Sequence, residues 1–406
     1  MRRRTLSVRD LDVTGKRVFV RVDFNVPLEG GRVADDTRVR ASVPTIELIR
    51  GRGGRVVAAS HLGRPKGRPV PSMGLRPVAV RLEEILKAKV HMAEDCVGPS
   101  VESQSRALRD GEVLLLENLR FHPEEEKNDA GFAARLAASG DCYVNDAFGS
   151  AHRAHASVAA ITKHLTAAAG LLMDREIEML GRLRDAPRKP YVAVLGGAKV
   201  SDKIELIESL LQRVDAILIG GAMAYTFLKA EGTPVGGSRV EEGHLEAARA
   251  IAARARAAKV RLLLPSDHVV AASPEEGAAS RTTPGAEIPT GLVGLDIGPR
   301  SRGEFAAVLG SAATIFWNGP VGLFEVPPYD AGTLAVASAI AATSAFSVVG
   351  GGDSVAAVTR LGLADRFTHL STGGGASLEF LSGVELPGLL ALGEAPGADP
   401  GRGGAA

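Results

Sequence analysis

Arginine and short polar side chains gather in four places in the first half of this chain. They are Asp23-Phe24-Asn25-Val26-Pro27, Ser60-His61-Leu62-Gly63-Arg64-Pro65, Glu117-Asn118-Leu119-Arg120-Phe121, and Asn145-Asp146-Ala147-Phe148-Gly149 running on to Arg153. A guanidinium grips a carboxylate or phosphate in a bidentate fork, so these clusters suit a small multivalent anion. The second half is different: Gly196-Gly197-Ala198-Lys199, Gly220-Gly221-Ala222-Met223, Asn318-Gly319-Pro320 and Gly350-Gly351-Gly352-Asp353 are glycine-rich. Glycine lets backbone N–H groups approach phosphates at helix starts. One glycine pair after a strand is only a turn signal; four in one region point to a nucleotide.

Each cluster follows a short apolar run. The runs are Arg17–Val22, Arg55–Ala59, Glu112–Leu116 and Cys142–Val144, then Tyr191–Leu195, Ala216–Ile219, Arg261–Leu264, Thr314–Trp317 and Phe346–Val349. Continuous apolar runs alternating with amphipathic segments predict buried parallel strands. Ligands of such open sheets bind beyond the carboxyl ends of the strands, where these clusters lie. The expected fold is α/β, with two doubly wound Rossmann-like domains joined by an interdomain helix and hinge. Residues 1–170 form the anion-binding domain and 191–378 the nucleotide-binding domain. The connector, 171–190, is an amphipathic helix from Leu171 followed by Asp185-Ala-Pro-Arg-Lys-Pro190, which ends it. Residues 379–392 are expected to return to the first domain, and 393–406 to form a flexible tail.

Composition excludes several classes. With 48 Lys+Arg against 47 Asp+Glu and 4% aromatic residues, nothing resembles the basic, aromatic-interleaved surface of a nucleic-acid binder. The balance is uneven along the chain: residues 1–170 hold 27 basic and 21 acidic side chains, the remainder 21 and 26, so the basic half is the one with the arginine clusters. Two cysteines, Cys96 and Cys142, supply no disulfide framework and fit a reducing, cytoplasmic setting. Residues 331–352 carry no charge, yet they are mostly Ala, Ser, Thr and Gly, which insert poorly into a bilayer. They predict a helix at about 332–342 and a strand at 346–349, with no membrane association. A monomer is the expectation, because no oligomer signal is visible.

The Walker, dinucleotide-fold and protein-kinase fingerprints are missing from the sequence. Eight motifs occur in order instead: Arg21-Val-Asp-Phe-Asn-Val-Pro27, Ser60-His-Leu-Gly-Arg-Pro65, Glu117-Asn-Leu-Arg-Phe121, Ala151-His-Arg-Ala-His-Ala-Ser157, Leu195-Gly-Gly-Ala-Lys-Val-Ser-Asp-Lys203, Trp317-Asn-Gly-Pro320, Gly350-Gly-Gly-Asp-Ser354 and Ser371-Thr-Gly-Gly-Gly-Ala-Ser377. Over about residues 5–390 the chain resembles the phosphoglycerate kinases. Two departures are small: Ser354 stands where Thr is common, and 273–290 is a Pro/Gly/Ser-rich stretch without clear alignment.

The resemblance implies that Asp23, Phe24, Asn25, Arg38, His61, Leu62, Gly63, Arg64, Arg120 and Arg153 hold 3-phosphoglycerate or 1,3-bisphosphoglycerate. Arg38, within Asp35-Asp-Thr-Arg38-Val-Arg40, rests almost wholly on it. It implies that Gly196, Gly197, Lys199, Lys203, Gly220, Gly298, Asn318, Glu325, Gly351, Gly352, Asp353 and Ser354 hold ATP or ADP. Within that set Glu325 resembles the ribose-binding carboxylate and Gly298 the base-pocket glycine. Lys199 and Lys203, four apart, are expected on one helical face. Asp353 suits Mg²⁺, which takes a few carboxylate oxygens besides phosphates and water. Gly373, Gly374 and Gly375 open an expected helix whose N–H groups would stabilise a moving phosphoryl. His152 and His155 suggest a metal pair, but no third ligand of zinc type accompanies them.

The acceptor implied is a carboxylate, already ionised at neutral pH. Unlike a sugar hydroxyl it needs no general base, so catalysis reduces to alignment and charge stabilisation by Arg38, Lys199 and the Gly373–Gly375 amides. Two other classes remain open at this point. A sugar kinase would need a positioned base, which the sequence does not offer. A non-catalytic phosphometabolite-binding module would use the same loops without turnover. Dividing the ligands between two domains also implies closure about the connector.

Overall fold

The computed structural model describes residues 5–393. It divides into two compact units, one made of 5–177 with 385–393 and the other of 178–384. The apolar runs become the two central sheets, with boundaries within a residue or so of those the sequence predicts. In the first unit six parallel strands lie in the order Val90–Met92, Val113–Leu115, Arg55–Ala59, Arg17–Arg21, Cys142–Asn145, Ala167–Ala169. In the second the order is Arg261–Leu263, Ala216–Ile219, Tyr191–Leu195, Thr314–Asn318, Phe346–Gly350, His369–Leu370, again all parallel.

Both sheets are doubly wound, and in each the direction of winding reverses beside the strand that the chain enters first. In the first unit it reverses between Arg17–Arg21 and Cys142–Asn145, where Arg21 pairs with Asn145. In the second it reverses between Tyr191–Leu195 and Thr314–Asn318, where Asn318 pairs with Leu195 on one side and Gly350 on the other. Such reversals open a crevice at the carboxyl edge. Each sheet is buried in its own apolar core, from Val18, Val20, Val56 and Val144 in the first to Val192, Leu218, Ile315 and Trp317 in the second.

Short edge strands (90–92, 167–169 and 369–370) and a three-stranded antiparallel sheet are additions to the expected set. The antiparallel sheet orders Arg281–Thr282, His268–Ala271 and Val293–Ile297, so the Pro/Gly/Ser-rich stretch is a strand-bearing excursion between two paired strands.

The connecting helix is Leu171–Asp185, and the division between units falls inside it. Buried Asp146 starts it: its Oδ1 accepts from the N–H of Leu172 at 2.9 Å and of Met173 at 3.3 Å. Burial pushes this carboxyl up to about 7. The helix Gly375–Ser382 stays in the second unit, where Ser209 Oγ donates to Leu381 O at 2.9 Å, so the chain returns to the first unit at 385 rather than 379. Gly388 N then donates to Ala151 O at 2.8 Å. Of the expected tail, 394–406 lies outside the described residues.

Candidate active site

In the first unit the four polar clusters occupy loops at the carboxyl ends of four adjacent strands. Asn25 Oδ1 accepts from Gly63 N at 2.9 Å, Asn118 Oδ1 from Leu62 N at 3.2 Å, and Arg120 Nη1 donates to Gly63 O at 2.8 Å. Two neighbouring loops thus clasp the turn at Gly63, whose φ of +65° favours glycine. Arg38, in the first turn of the helix Thr37–Gly51, donates from Nη1 to Asp23 Oδ2 at 3.0 Å. Arg64 is exposed. Phe24 and Leu62 are buried, Phe24 completely, and their side chains belong to the core. Phe24 N donates to Ser60 Oγ at 2.8 Å.

Beneath these loops lies an ionic chain that the motifs alone do not suggest. Arg21, wholly buried at the end of its strand, donates from Nε to Ser157 Oγ at 2.9 Å, and Ser157 Oγ donates to buried Glu125 Oε1 at 2.5 Å. A buried cation is tolerable only when paired and hydrogen-bonded, and the serine links it to its counter-ion. Arg21 also lies with Nη2 3.1 Å from His61 Nδ1. Arginine can only donate, so Nδ1 accepts and the proton sits on Nε2. Burial, then the charges of Arg21, Arg120 and Arg153, hold His61 well below the ordinary histidine range. It is therefore a neutral N–H donor at physiological pH. His155 is pushed down to about 3 by burial and the same arginines, which leaves it an uncharged neighbour 3.8 Å from Glu125. Arg120, down to about 10 by burial and by Arg153, stays a cation. Arg153 Nε donates to His152 Nε2 at 3.1 Å.

In the second unit a cavity of about 470 Å³ is lined by Tyr225, Val293, Gly294, Leu295, Leu323 and Glu325 among others. A neighbouring one of about 320 Å³ is lined by Lys203, Asn318, Ser354, Gly374 and Gly375. Gly197, Ala198, Pro320 and Asp353 border both. The first has largely apolar walls with the exposed carboxylates Glu325 and Asp353 at its border; the second is bounded by glycine, lysine and a helix start.

Several expectations change here. Lys199 and Lys203 do not share a helical face: Lys199 is exposed in the loop, and Lys203 ends the 3₁₀ turn Ser201–Lys203. Lys203 Nζ donates to Asn318 Oδ1 at 2.6 Å, and burial lowers its pKa. The loop glycines do not offer their amides. Gly196 N donates to Asn318 O at 2.9 Å, Gly197 N to Pro320 O at 2.8 Å, Gly220 N to Leu195 O at 2.9 Å and Gly221 N to Val321 O at 2.8 Å. Their glycine identity serves close packing instead, since a Cβ on Gly196 would lie 2.1 Å from Pro320 O. The helix Gly352–Arg360 begins its ladder only at Val355 N, which donates to Gly351 O at 3.1 Å, whereas in Gly375–Ser382 Ala376 N and Ser377 N already donate to Gly373 O and Gly374 O. Gly351 and Gly374 precede them with φ of +90° and +54°. Gly373 lies one residue outside the second cavity's lining.

Gly220 and Gly298 do not line either cavity. Gly298 caps the helix Pro299–Gly310 and abuts Asp267, whose carboxyl carbon would be 2.2 Å from an added Cβ. Ser354 Oγ, fully buried, accepts from Gly319 N at 2.7 Å and so braces the loop. Tyr225, Arg239 and Pro274 line the larger cavity without any motif announcing them. Among the described residues no hydrogen bond or ion pair engages the exposed Asp353 carboxylate, which fits it to take a cation beside bound phosphates.

Two doubly wound parallel sheets, each with its polar or glycine-rich loops at the carboxyl edge, place the chain among two-unit α/β proteins of the nucleotide-binding type. The family model described as phosphoglycerate kinase matches residues 8–384. The chain is 56% identical over 392 residues to the phosphoglycerate kinase of Anaeromyxobacter dehalogenans strain 2CP-C, covering 96% of this chain and 99% of that one. It is 54% identical over 389 residues to that of Moorella thermoacetica, with coverage of 96% and 99%. The structure of phosphoglycerate kinase from Coxiella burnetii superposes with a TM-score of 0.86 at 39% identity, over 95% of this chain and 98% of that one. The corresponding values for the Pyrococcus horikoshii OT3 structure are 0.82, 34%, 95% and 98%. The chain belongs to the phosphoglycerate kinase family. Its activity is the glycolytic phosphotransfer to a carboxyl acceptor: ATP and 3-phosphoglycerate exchange with ADP and 1,3-bisphosphoglycerate. The family works with the magnesium complex of the nucleotide. Among the described residues no helix is long and apolar enough to cross a membrane.

Proposed function

We propose that this reaction is run by two half-sites, one on each unit, acting on a monomer in the cytoplasm. The observation that carries the reading is the segregation of chemistry: cationic and polar loops edge one sheet, and a glycine-walled cavity edges the other. 3-Phosphoglycerate is taken by Asp23, Asn25, Arg38, His61, Arg64, Arg120 and Arg153. Their guanidinium forks match its phosphate and carboxylate, and the neutral His61 donates Nε2–H without adding charge.

ATP lies with its adenosine in the larger cavity, its ribose toward Glu325 and its phosphates toward Lys203, Gly351–Asp353 and Gly374–Gly375. Lys199, exposed on its loop, is free to reach the transferring group. Asp353 would hold the magnesium ion, which neutralises phosphate charge when bound. The chain's own residues then align the acceptor carboxylate with the phosphoryl and stabilise its equatorial oxygens. Attack needs no proton removal, so no base is assigned.

Transfer requires the reacting atoms within about 3–3.5 Å, and water must be kept from the phosphoryl. Each ligand alone engages one unit and has little preference for a closed arrangement, whereas the pair together adds bridging interactions. Small-angle scattering should therefore show the largest contraction with 3-phosphoglycerate and a non-hydrolysable Mg-ATP analogue both saturating. A radius of gyration equal to that of the free enzyme would refute ligand-driven closure.

A further inference from the structure

Glu325 stands in an irregular loop between the strand Thr314–Asn318 and the helix Ala331–Ala341. Both ends of its 322–332 span meet at one buried carboxylate. Asp296, on the strand Val293–Ile297 and 1% exposed, accepts from Gly332 N through Oδ2 at 2.6 Å and from Ile297 N through Oδ1 at 2.8 Å. Arg302 Nη2, from the helix Pro299–Gly310, lies 3.1 Å from Oδ2 and supplies the counter-charge. Gly322 and Gly332 press against the same group: a Cβ on either would sit 2.1 or 2.2 Å from Asp296 Oδ1. Neither glycine has a left-handed φ, so close approach to the carboxylate explains their small size. The adjoining residues extend the grip, since Leu323 N donates to Leu295 O at 2.7 Å and Val326 N to Leu323 O at 3.1 Å. Glu325 lies between those two anchors, at the wall that Leu295, Gly322 and Leu323 also form.

We propose that Asp296 is a positioning residue for the nucleotide: by pinning both ends of the 322–332 loop it sets the Glu325 carboxylate where the ribose hydroxyls bind. This rests on Glu325 being the ribose ligand, so the experiment tests the two separately. Asp296 itself is not among the residues that line the cavity.

The readout is the ratio of KM for 2′,3′-dideoxy-ATP to KM for ATP, measured with kcat and the KM for 3-phosphoglycerate. Glu325→Ala should reduce the ratio toward one. Asp296→Asn should do the same although Glu325 is intact, raising KM for ATP by about ten- to hundredfold, the scale of a charged hydrogen bond. The KM for 3-phosphoglycerate should stay at its wild-type value. In the Glu325→Ala background Asp296→Asn should add little. Gly322→Ala intrudes on the same carboxylate from the loop side and should reproduce the loss, which keeps the test available if Asp296→Asn fails to fold. The positioning role is overturned if Glu325→Ala abolishes the discrimination while Asp296→Asn and Gly322→Ala retain it. It is overturned equally if the KM for 3-phosphoglycerate moves in step with that for ATP. Undiminished discrimination in Glu325→Ala would refute the ribose assignment, and the inference with it.

Discussion

Arg38→Ala lowers kcat by about 10²–10³, the cost of removing one preorganised donor from a developing negative charge. The guanidinium is held ready by Asp23 at 3.0 Å, and its side chain is 37% exposed, so one face is anchored and the other is available to ligand. Asp23 is buried, so losing its partner should cost about 1–3 kcal/mol of folding stability, which a thermal melt separates from the loss of kcat. The nucleotide half-site shares no residue with Arg38, and KM for ATP should also persist. Arg38→Lys retains charge but loses the planar fork, so its kcat should fall between the two. Steady-state kinetics with both substrates varied decide the matter: a near-wild-type kcat in Arg38→Ala removes the residue from the chemistry.

Asp353→Asn preserves shape and removes the proposed cation ligand's charge. Mg-ATP affinity should drop by about 10–100-fold or more, since even outer partners of a bound metal are worth that much. Calorimetric titration with 3-phosphoglycerate should be unchanged. The carboxylate sits in the first turn of the helix Gly352–Arg360, where an acid stabilises the helix by about 0.3–1 kcal/mol. The variant should therefore lose at most that much stability, far less than the binding effect. Weakened 3-phosphoglycerate binding with Mg-ATP intact would reverse the assignment of the two units.

The parts of this design that could be read from sequence are those set by local pattern. Tyr191–Leu195 is a strand because its run is apolar throughout, Phe346–Gly350 because only Ser347 interrupts its apolar run, and the helix Ala331–Ala341 follows from Ala-rich, uncharged sequence. The parts that could not are set by tertiary contact. Nothing in Arg21's own segment says that it is wholly buried, because its partners Ser157 and His61 arrive from 136 and 40 residues away. The glycine pairs at 196–197 and 220–221 look like phosphate cradles in sequence. In the structure their amides go to neighbouring carbonyls, and only the register of Thr314–Asn318 beside Tyr191–Leu195 makes that visible. Lys199 and Lys203 have helical spacing, but the helix starts only at Ile204. The strands 90–92 and 369–370 are too short to carry a pattern, and pairing alone defines them.

The central claim is that a carboxylate of a small phosphorylated acid, held on the first unit, receives the phosphoryl of ATP held on the second. An acyl phosphate reacts with hydroxylamine to give a hydroxamate, whereas a phosphate ester on a hydroxyl does not. The most direct measurement is therefore hydroxamate formation alongside ADP release, with Mg-ATP, 3-phosphoglycerate and hydroxylamine present. The account predicts one hydroxamate per ADP, strictly dependent on 3-phosphoglycerate. ADP release without hydroxamate, or equal turnover with a neutral sugar in place of the acid, would contradict it.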